Sequence, residues 1–247
     1  MINFALSNKD SIPLRWKKLR PALSNGGLFF IMKQSYPTQR VIVYVDGFNF
    51  YYGIKKKPWN KYYWLDIVKL FEQFMLPHQE LVAVKYFSAR PLGDPDKSLR
   101  QNAFFQANLE NRKFKLILGK YLKKRLECFK CHNIINTYEE KESDVNLATQ
   151  IVADAYQDNC DIVIIVSADS DMIPAIDLAR EAGKKVFIYF PPNHKSSNLR
   201  ILAGMRPTWL ERYEGRFKNA MLPDRITLKN GFELRIPEPW RIVRDGK

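Results

Sequence analysis

The chain has 247 residues, with 40 Lys and Arg against 26 Asp and Glu, a net charge of +14 and a pI near 9.6. The length supports a core in one domain of about 150–200 residues plus appendages, and the charge favours a polyanionic partner. Three cysteines do not make a disulfide framework, which points to a reducing cytoplasmic setting, and no apolar run reaches the roughly 18–20 residues that span a bilayer.

Residues 1–39 show no period and carry Pro13, Pro21, Gly26, Gly27 and Pro37; they read as an irregular extension, with Met32 as an alternative start. Leu28–Met32 is too short for a signal-peptide core, so export is not expected. Val41–Val45 is a first strand, and Phe48–Lys55 begins a helix after Asp46-Gly47. Leu65–Met75 is amphipathic, with Leu65, Val68, Phe71 and Met75 at helical spacing. Leu81–Phe87 reads as a strand, Lys97–Arg112 as a helix and Lys115–Leu122 as a third strand. Ser143–Gln157 is a helix, Ile162–Val166 a central strand, Met172–Ala182 a helix ended by Gly183, and Val186–Phe190 the next strand. Asn193–Arg206 is a short helix after Pro191-Pro192. Ile226–Leu228 and Phe232–Ile236 flank Lys229-Asn230-Gly231, a hairpin signal because Asn-Gly favours tight primed turns. The alternation predicts an α/β domain over residues 40–206, in three layers around a mostly parallel sheet, with a small C-terminal β appendage over 207–247.

Ligand sites in open α/β sheets lie past the carboxyl ends of the strands. Asp46 ends the first strand there, and Asp169 and Asp171 follow the central strand in Ser-Ala-Asp-Ser-Asp. Asp144 opens a helix and shares the stripe of Leu147, Ala148 and Ile151. Acids gathered at one sheet edge repel one another unless they hold a divalent cation, and Mg²⁺ takes hard oxygen ligands of this kind. Each acid also has a purely structural reading. Asp144 suits the first turn of a helix, Asp171 is a good N-cap for Met172 onward, and Asp46 suits a turn. Asn49 is a local cap or a donor to phosphate or metal-bound water. An acidic pocket in a basic chain suggests an enzyme that cuts nucleic acid.

The strings VIVYVDGFNFYYG, EEKESDVNLATQIVADA and DIVIIVSADSDMIPAIDLAREAGKKV resemble the three signature blocks of the NYN domain family of PIN-like nucleases, over about Val41 to Phe190. The family's first acid and the Asn of its D-x-x-N match Asp46 and Asn49. Its helix-start acid matches Asp144, and its S-x-D-S-D block matches Ser167, Asp169 and Asp171. This chain has Glu142-Ser143 where the family often has Gly-Val, and Ala168 where it often has Gly. The resemblance implies an endoribonuclease dependent on Mg²⁺ or Mn²⁺. Asp46, Asp144, Asp169 and Asp171 would be the metal ligands, with Asn49 completing the catalytic set and Ser167 near the substrate. In-line attack would leave a 5′-phosphate and a 3′-hydroxyl. Pairing into a homodimer also follows from the resemblance, since many PIN-like domains pair.

A basic track suits single-stranded RNA, because aromatics between cations stack bases while the cations hold the backbone. Its members are Lys55 and Lys56 beside Phe50, Tyr51 and Tyr52, and Lys120, Lys123, Lys124 and Arg125 around Tyr121. Lys184, Lys185, Lys195 and Arg200 are expected at the rim. Cys128-Phe129-Lys130-Cys131-His132 has the spacing of haem attachment or half a zinc site, yet falls short of four zinc ligands and reads as a loop before the Asp144 helix. Two rivals stand beside the nuclease. One is an RNA-binding or regulatory module without catalysis. The other is a Toprim-like phosphoryl-transfer enzyme, for which a Glu would be expected where Asp46 stands.

Overall fold

The computed structural model describes residues 37–90, 94–194, 196 and 206–244, apart from the side chains of 122, 123 and 135–140. The expected N-terminal extension up to residue 36, most of the expected Asn193–Arg206 helix, and Lys195 and Arg200 lie outside the described residues. In chain order the strands are β1 (Gln39–Asp46), β2 (Gln79–Ser88), β3 (Phe114–Leu118), β4 (Lys120–Glu127), β5 (Ile134–Lys141), β6 (Ile162–Val166), β7 (Lys185–Phe190), β8 (Thr208–Trp209), β9 (Arg225–Thr227) and β10 (Glu233–Arg235). The helices are α1 (Gly47–Lys55), α2 (Ile67–Glu72), α3 (Pro95–Leu109), α4 (Ser143–Tyr156), α5 (Ile173–Glu181), α6 (Glu214–Asn219) and α7 (Glu238–Arg244).

One six-stranded parallel sheet runs in the order β3-β2-β1-β6-β7-β8. Strand β1 is central because its Val/Ile run is buried on both sides. Val41, Val43 and Val45 face one layer, where α1, α2 and α3 bury Phe50, Val68, Phe71 and Phe104. Ile42 and Tyr44 face the other, where α4 contributes Leu147 and Ile151 and α5 contributes Ala175 and Ile176. The three-layer α/β expectation is met. Among the described residues no helix is long and apolar enough to cross a membrane.

Three local expectations are corrected. The third strand stops at Leu118, and the chain restarts as the separate antiparallel hairpin β4–β5, with Leu122 opposite Glu139 and Lys124 opposite Thr137. Cys128, Cys131 and His132 sit at its tip, where the Cys128 carbonyl accepts from the His132 N–H at 2.8 Å. The C-terminal hairpin β9–β10 exists, but its turn is not a primed one. Gly231 alone in the loop has positive φ (82°), and its N–H donates to the Leu228 carbonyl at 2.8 Å. Nor is the C-terminal segment only a hairpin. Leu210, Phe217, Leu234, Ile236 and Trp240 are buried in the same layer as α1 to α3.

Helix α4 is fixed to the sheet by a buried polar knot. Asp154, 2% exposed, accepts from the Tyr44 hydroxyl at 2.7 Å, Lys85 Nζ at 2.6 Å and Asn159 Nδ2 at 2.9 Å. Burial pushes the Tyr44 hydroxyl well above its usual pKa and the Cys160 thiol up to about 11, so both stay protonated. At the amino edge of the sheet, Arg40 joins Asp158 at 3.0 Å and Asp161 at 2.9 Å. Its hydrogen bonds hold the Asp161 carboxyl down at about 2.

Two stability predictions follow from these clusters. Asp154→Ala strands Lys85 and the Tyr44 hydroxyl in the interior, and urea unfolding should show a loss of about 3–5 kcal/mol. For Asp161 the folded pKa lies below the unfolded one, so its contribution is present above about pH 4 and lost as pH falls toward 2. Urea midpoints across that window should fall more steeply for the wild type than for Asp161→Asn.

Candidate active site

Asp46 ends β1 at the carboxyl edge of the sheet, and its side chain is 7% exposed. Its Oδ1 accepts from the N–H groups of Phe48 at 3.1 Å and Asn49 at 2.9 Å, which caps α1. Its Oδ2 accepts from Asn49 Nδ2 at 2.7 Å and Ser167 Oγ at 2.9 Å. Burial raises the Asp46 pKa, and the nearby Asp169 charge adds to this, while the hydrogen bonds from Asn49 and Ser167 pull it back down. Gly47 follows for a steric reason as much as a turn: a Cβ there would stand 2.4 Å from the Phe87 carbonyl oxygen.

Ser167 links this cluster to β6. Its hydroxyl donates to Asp46 and accepts from the Asp169 N–H at 3.0 Å. It is 0% exposed, and these two hydrogen bonds join the Asp46 carboxylate to the backbone of Asp169. Asp169 then accepts from the Asp171 N–H at 3.0 Å and caps the 3₁₀ turn Ser170–Met172. The capping residue of this segment is therefore Asp169 rather than Asp171, which lies exposed within the turn.

Helix α4 packs against that 3₁₀ turn and brings Asp144 to the same side of the molecule. Its apolar stripe is as expected at Leu147 and Ile151, but Asp144 is exposed in the first turn and does not share their burial. The reason is position. Asp144 is the second residue of α4, a turn before the buried Leu147. The preceding Glu142 has φ of 75°, a left-handed conformation that glycine adopts most readily. The carboxylates are hard oxygen donors of the type Mg²⁺ takes, and in chemistry the set fits such an ion. In geometry the fit is incomplete: the four lone-pair positions of Asp46 already accept protein donors, and among the described residues no three His, Cys, Asp or Glu side chains form a group that could hold a metal. Cys128, Cys131 and His132 form no such group either, and the His132 imidazole Nδ1 meets Glu127 at 2.8 Å.

The basic residues divide between the two edges. Lys55 and Lys56 are exposed at the end of α1, with Lys55 Nζ 5.2 Å from the centre of the Tyr52 ring. Lys120, at the root of the β4–β5 hairpin, pairs with Glu142 at 3.3 Å, and Lys124 and Arg125 are exposed further along β4. The Lys123 side chain lies outside those described. Lys184 and Lys185 are not at the rim. They open β7 at the amino edge, where Lys184 pairs with Asp158. Sequence reasoning missed His194, which follows β7 and is half-buried. Burial and the Lys56 charge hold its imidazole below the usual pKa, and the Asp46 charge acts in the opposite direction. Its signal was only its place after a strand's carboxyl end.

An aromatic cavity of about 70 Å³ opens one residue from Asp46, with walls from Phe48, Tyr51, Tyr52, Tyr63 and Trp240. The rings of Tyr51, Tyr63 and Trp240 form a stacked series, with centroids 5.6 and 5.3 Å apart.

Comparison with known proteins agrees with this architecture. The NYN domain family profile matches residues 40–205. The chain is 30% identical over 175 residues to 6-hydroxy-3-succinoylpyridine 3-monooxygenase HspA of Pseudomonas putida (strain DSM 28022 / S16), a match covering 57% of this chain and 55% of that protein. The chain thus spans about half the length of this relative. A crystal structure of a protein of unknown function from Vibrio parahaemolyticus RIMD 2210633 superimposes with a TM-score of 0.50 at 22% identity, over 72% of this chain and 96% of that one, a likeness of fold.

Removing the Ser167 hydroxyl deprives Asp46 of a donor and the Asp169 N–H of an acceptor. Ser167→Ala should therefore lower stability by about 2 kcal/mol in urea unfolding, more than a typical neutral hydrogen bond contributes.

Proposed function

The chain belongs to the NYN domain family, which carries a PIN-like nuclease-type fold, and from that premise we propose that it is a metal-dependent endoribonuclease acting on single-stranded RNA. The observation that supports the reading most is the delivery of Asp46 from β1, Asp169 and Asp171 from the segment after β6, and Asp144 from α4 to one edge of the sheet. Asp46, Asp144, Asp169 and Asp171 are the residues that would hold Mg²⁺ or Mn²⁺. When bound, such an ion polarises a phosphate and lowers the pKa of a water.

The chain's own residues supply the rest. Asn49 and Ser167 fix the Asp46 carboxylate in one orientation. Lys55, Lys56, Lys120, Lys123, Lys124 and Arg125 attract the phosphate backbone, and the exposed Phe48 ring offers a stacking surface. His194, kept neutral near pH 7 by burial and Lys56, is available to accept a proton beside Asp46.

A second reading is favoured by the filled lone pairs of Asp46: a module that binds RNA without cutting it. The monooxygenase relative suggests another use for the same neighbourhood, a site for a small hydroxylated aromatic, with the aromatic cavity as its receptor.

A labelled single-stranded RNA and a circular RNA, incubated with Mg²⁺, Mn²⁺ or EDTA, test the reading. Cleavage of both should depend on the ion, and Asp46→Asn and Asp169→Asn should lower the rate by about 100-fold or more with RNA affinity retained. Tight binding with no cleavage in the wild type would transfer the protein to the binding-module reading. Affinity should also fall steeply as salt rises, because the basic residues release counterions.

A further inference from the structure

We propose that Cys128 and Cys131, at the tip of the β4–β5 hairpin, form a dithiol that exchanges with small disulfides, with Cys128 as the attacking sulfur and Cys131 as the resolving one. Neither the acidic edge nor the basic track uses this motif.

The backbone of the tip builds the pair. Glu127 and Ile134 close the hairpin ladder. Beyond them the Cys128 N–H donates to the Asn133 carbonyl at 2.9 Å, and the Cys128 carbonyl accepts from the His132 N–H at 2.8 Å. That second bond spans four residues, as in one turn of α-helix, so residues three apart lie on one side of the turn. Cys128 and Cys131 have that spacing. His132, with a φ of 56°, then turns the chain back toward β5. The result is a contact between the two side chains. The Cys128 sulfur accepts from the N–H groups of Lys130 and Cys131 and from the Cys131 thiol.

The two sulfurs are unequal. Negative charge on Cys128 is met by these donors, the Lys130 N–H foremost, and they hold its thiol below the usual cysteine range. The thiolate is the form that attacks a disulfide. Cys131 is exposed and Cys128 half-buried, and Phe129 and Lys130 between them are exposed, so a small disulfide in solvent can approach. Cys160 is the internal contrast: it is buried, and burial pushes its thiol up to about 11.

The exchange balances. The Cys128 thiolate attacks one sulfur of the small disulfide, whose S–S bond breaks, and one half leaves and takes up a proton. Cys131 then loses its proton and attacks the Cys128 sulfur, releasing the other half as a second thiol. Two protein thiols are oxidised, and one small disulfide is reduced to two thiols that carry the two protons. The second attack is intramolecular, so the mixed disulfide does not accumulate.

The site does not rest on the nuclease reading. The full chain, reduced and freed of reductant, is incubated with glutathione disulfide, quenched with acid, unfolded, alkylated with N-ethylmaleimide and weighed by mass spectrometry. The wild type should lose two of its three alkylatable thiols, keep Cys160 and carry no glutathione. Cys131→Ala should stop with one glutathione on Cys128. Cys128→Ala should remain mostly free at Cys131 over the time in which Cys131→Ala reacts fully. Both substitutions lie at an exposed tip, and circular dichroism should be unchanged. Equal glutathionylation of the two variants overturns the proposal. So does a wild type that stays unreacted, carries glutathione on both cysteines, or retains a metal ion on them after purification, whatever the outcome of RNA cleavage.

Discussion

The Asp46 carboxylate is the constraint on which the carboxyl edge of this sheet depends. It sits at 7% exposure and still accepts four hydrogen bonds, from Phe48, from two groups of Asn49 and from Ser167. Each does structural work. The two N–H groups start α1, the Asn49 amide closes the first turn back onto the strand, and the Ser167 hydroxyl ties β1 to the end of β6. A buried carboxylate without such donors would protonate or unfold its surroundings. With them it becomes a fixed point, and Asp169 is placed from it through the same serine.

The molecule places its charge unevenly. At the amino edge, Arg40 and Lys184 are matched by Asp158 and Asp161 in a compact network. At the carboxyl edge the acids stand beside exposed lysines at the end of α1 and the root of the β4–β5 hairpin. An overall charge of +14 is therefore a poor guide to where a polyanion would dock. Part of that charge is spent on folding at the end of the sheet opposite the acids.

Much of the frame was legible because burial on both faces selects unbroken Val/Ile runs, which β1 and β6 display. The placement of Asp46, Asp169 and Asp171 past those runs followed from strand direction alone. The β4–β5 hairpin was not legible. Its strands mix Lys, Arg, Glu and Leu without a clean period. Of the two readings of Asp144 the structure matches the first-turn one, because periodicity reports which face a residue shares and says nothing of where along a helix contact begins. The Asp154 knot was hidden for a related reason: an acid inside a helix declares its partners only when Tyr44 and Lys85 arrive from two different strands. Lys184 and Lys185 lie at the amino edge, away from the expected rim, because a parallel strand begins where its neighbours begin.

The central position of β1 has a consequence for how the chain comes together. Val41 pairs with Leu81 on one side and with Ile162 on the other. The first partner is synthesised soon after; the second arrives only after α3, the β4–β5 hairpin and α4 have been made. Until then one edge of an apolar strand is unsatisfied, and closing it requires the entropy of a very long loop. Folding of this chain should accordingly be limited by the docking of β6 onto β1, the same event that brings Ser167 to Asp46. The fold and the acidic edge would then mature in one step, so partly folded chains would expose a sticky strand but not a prematurely assembled site.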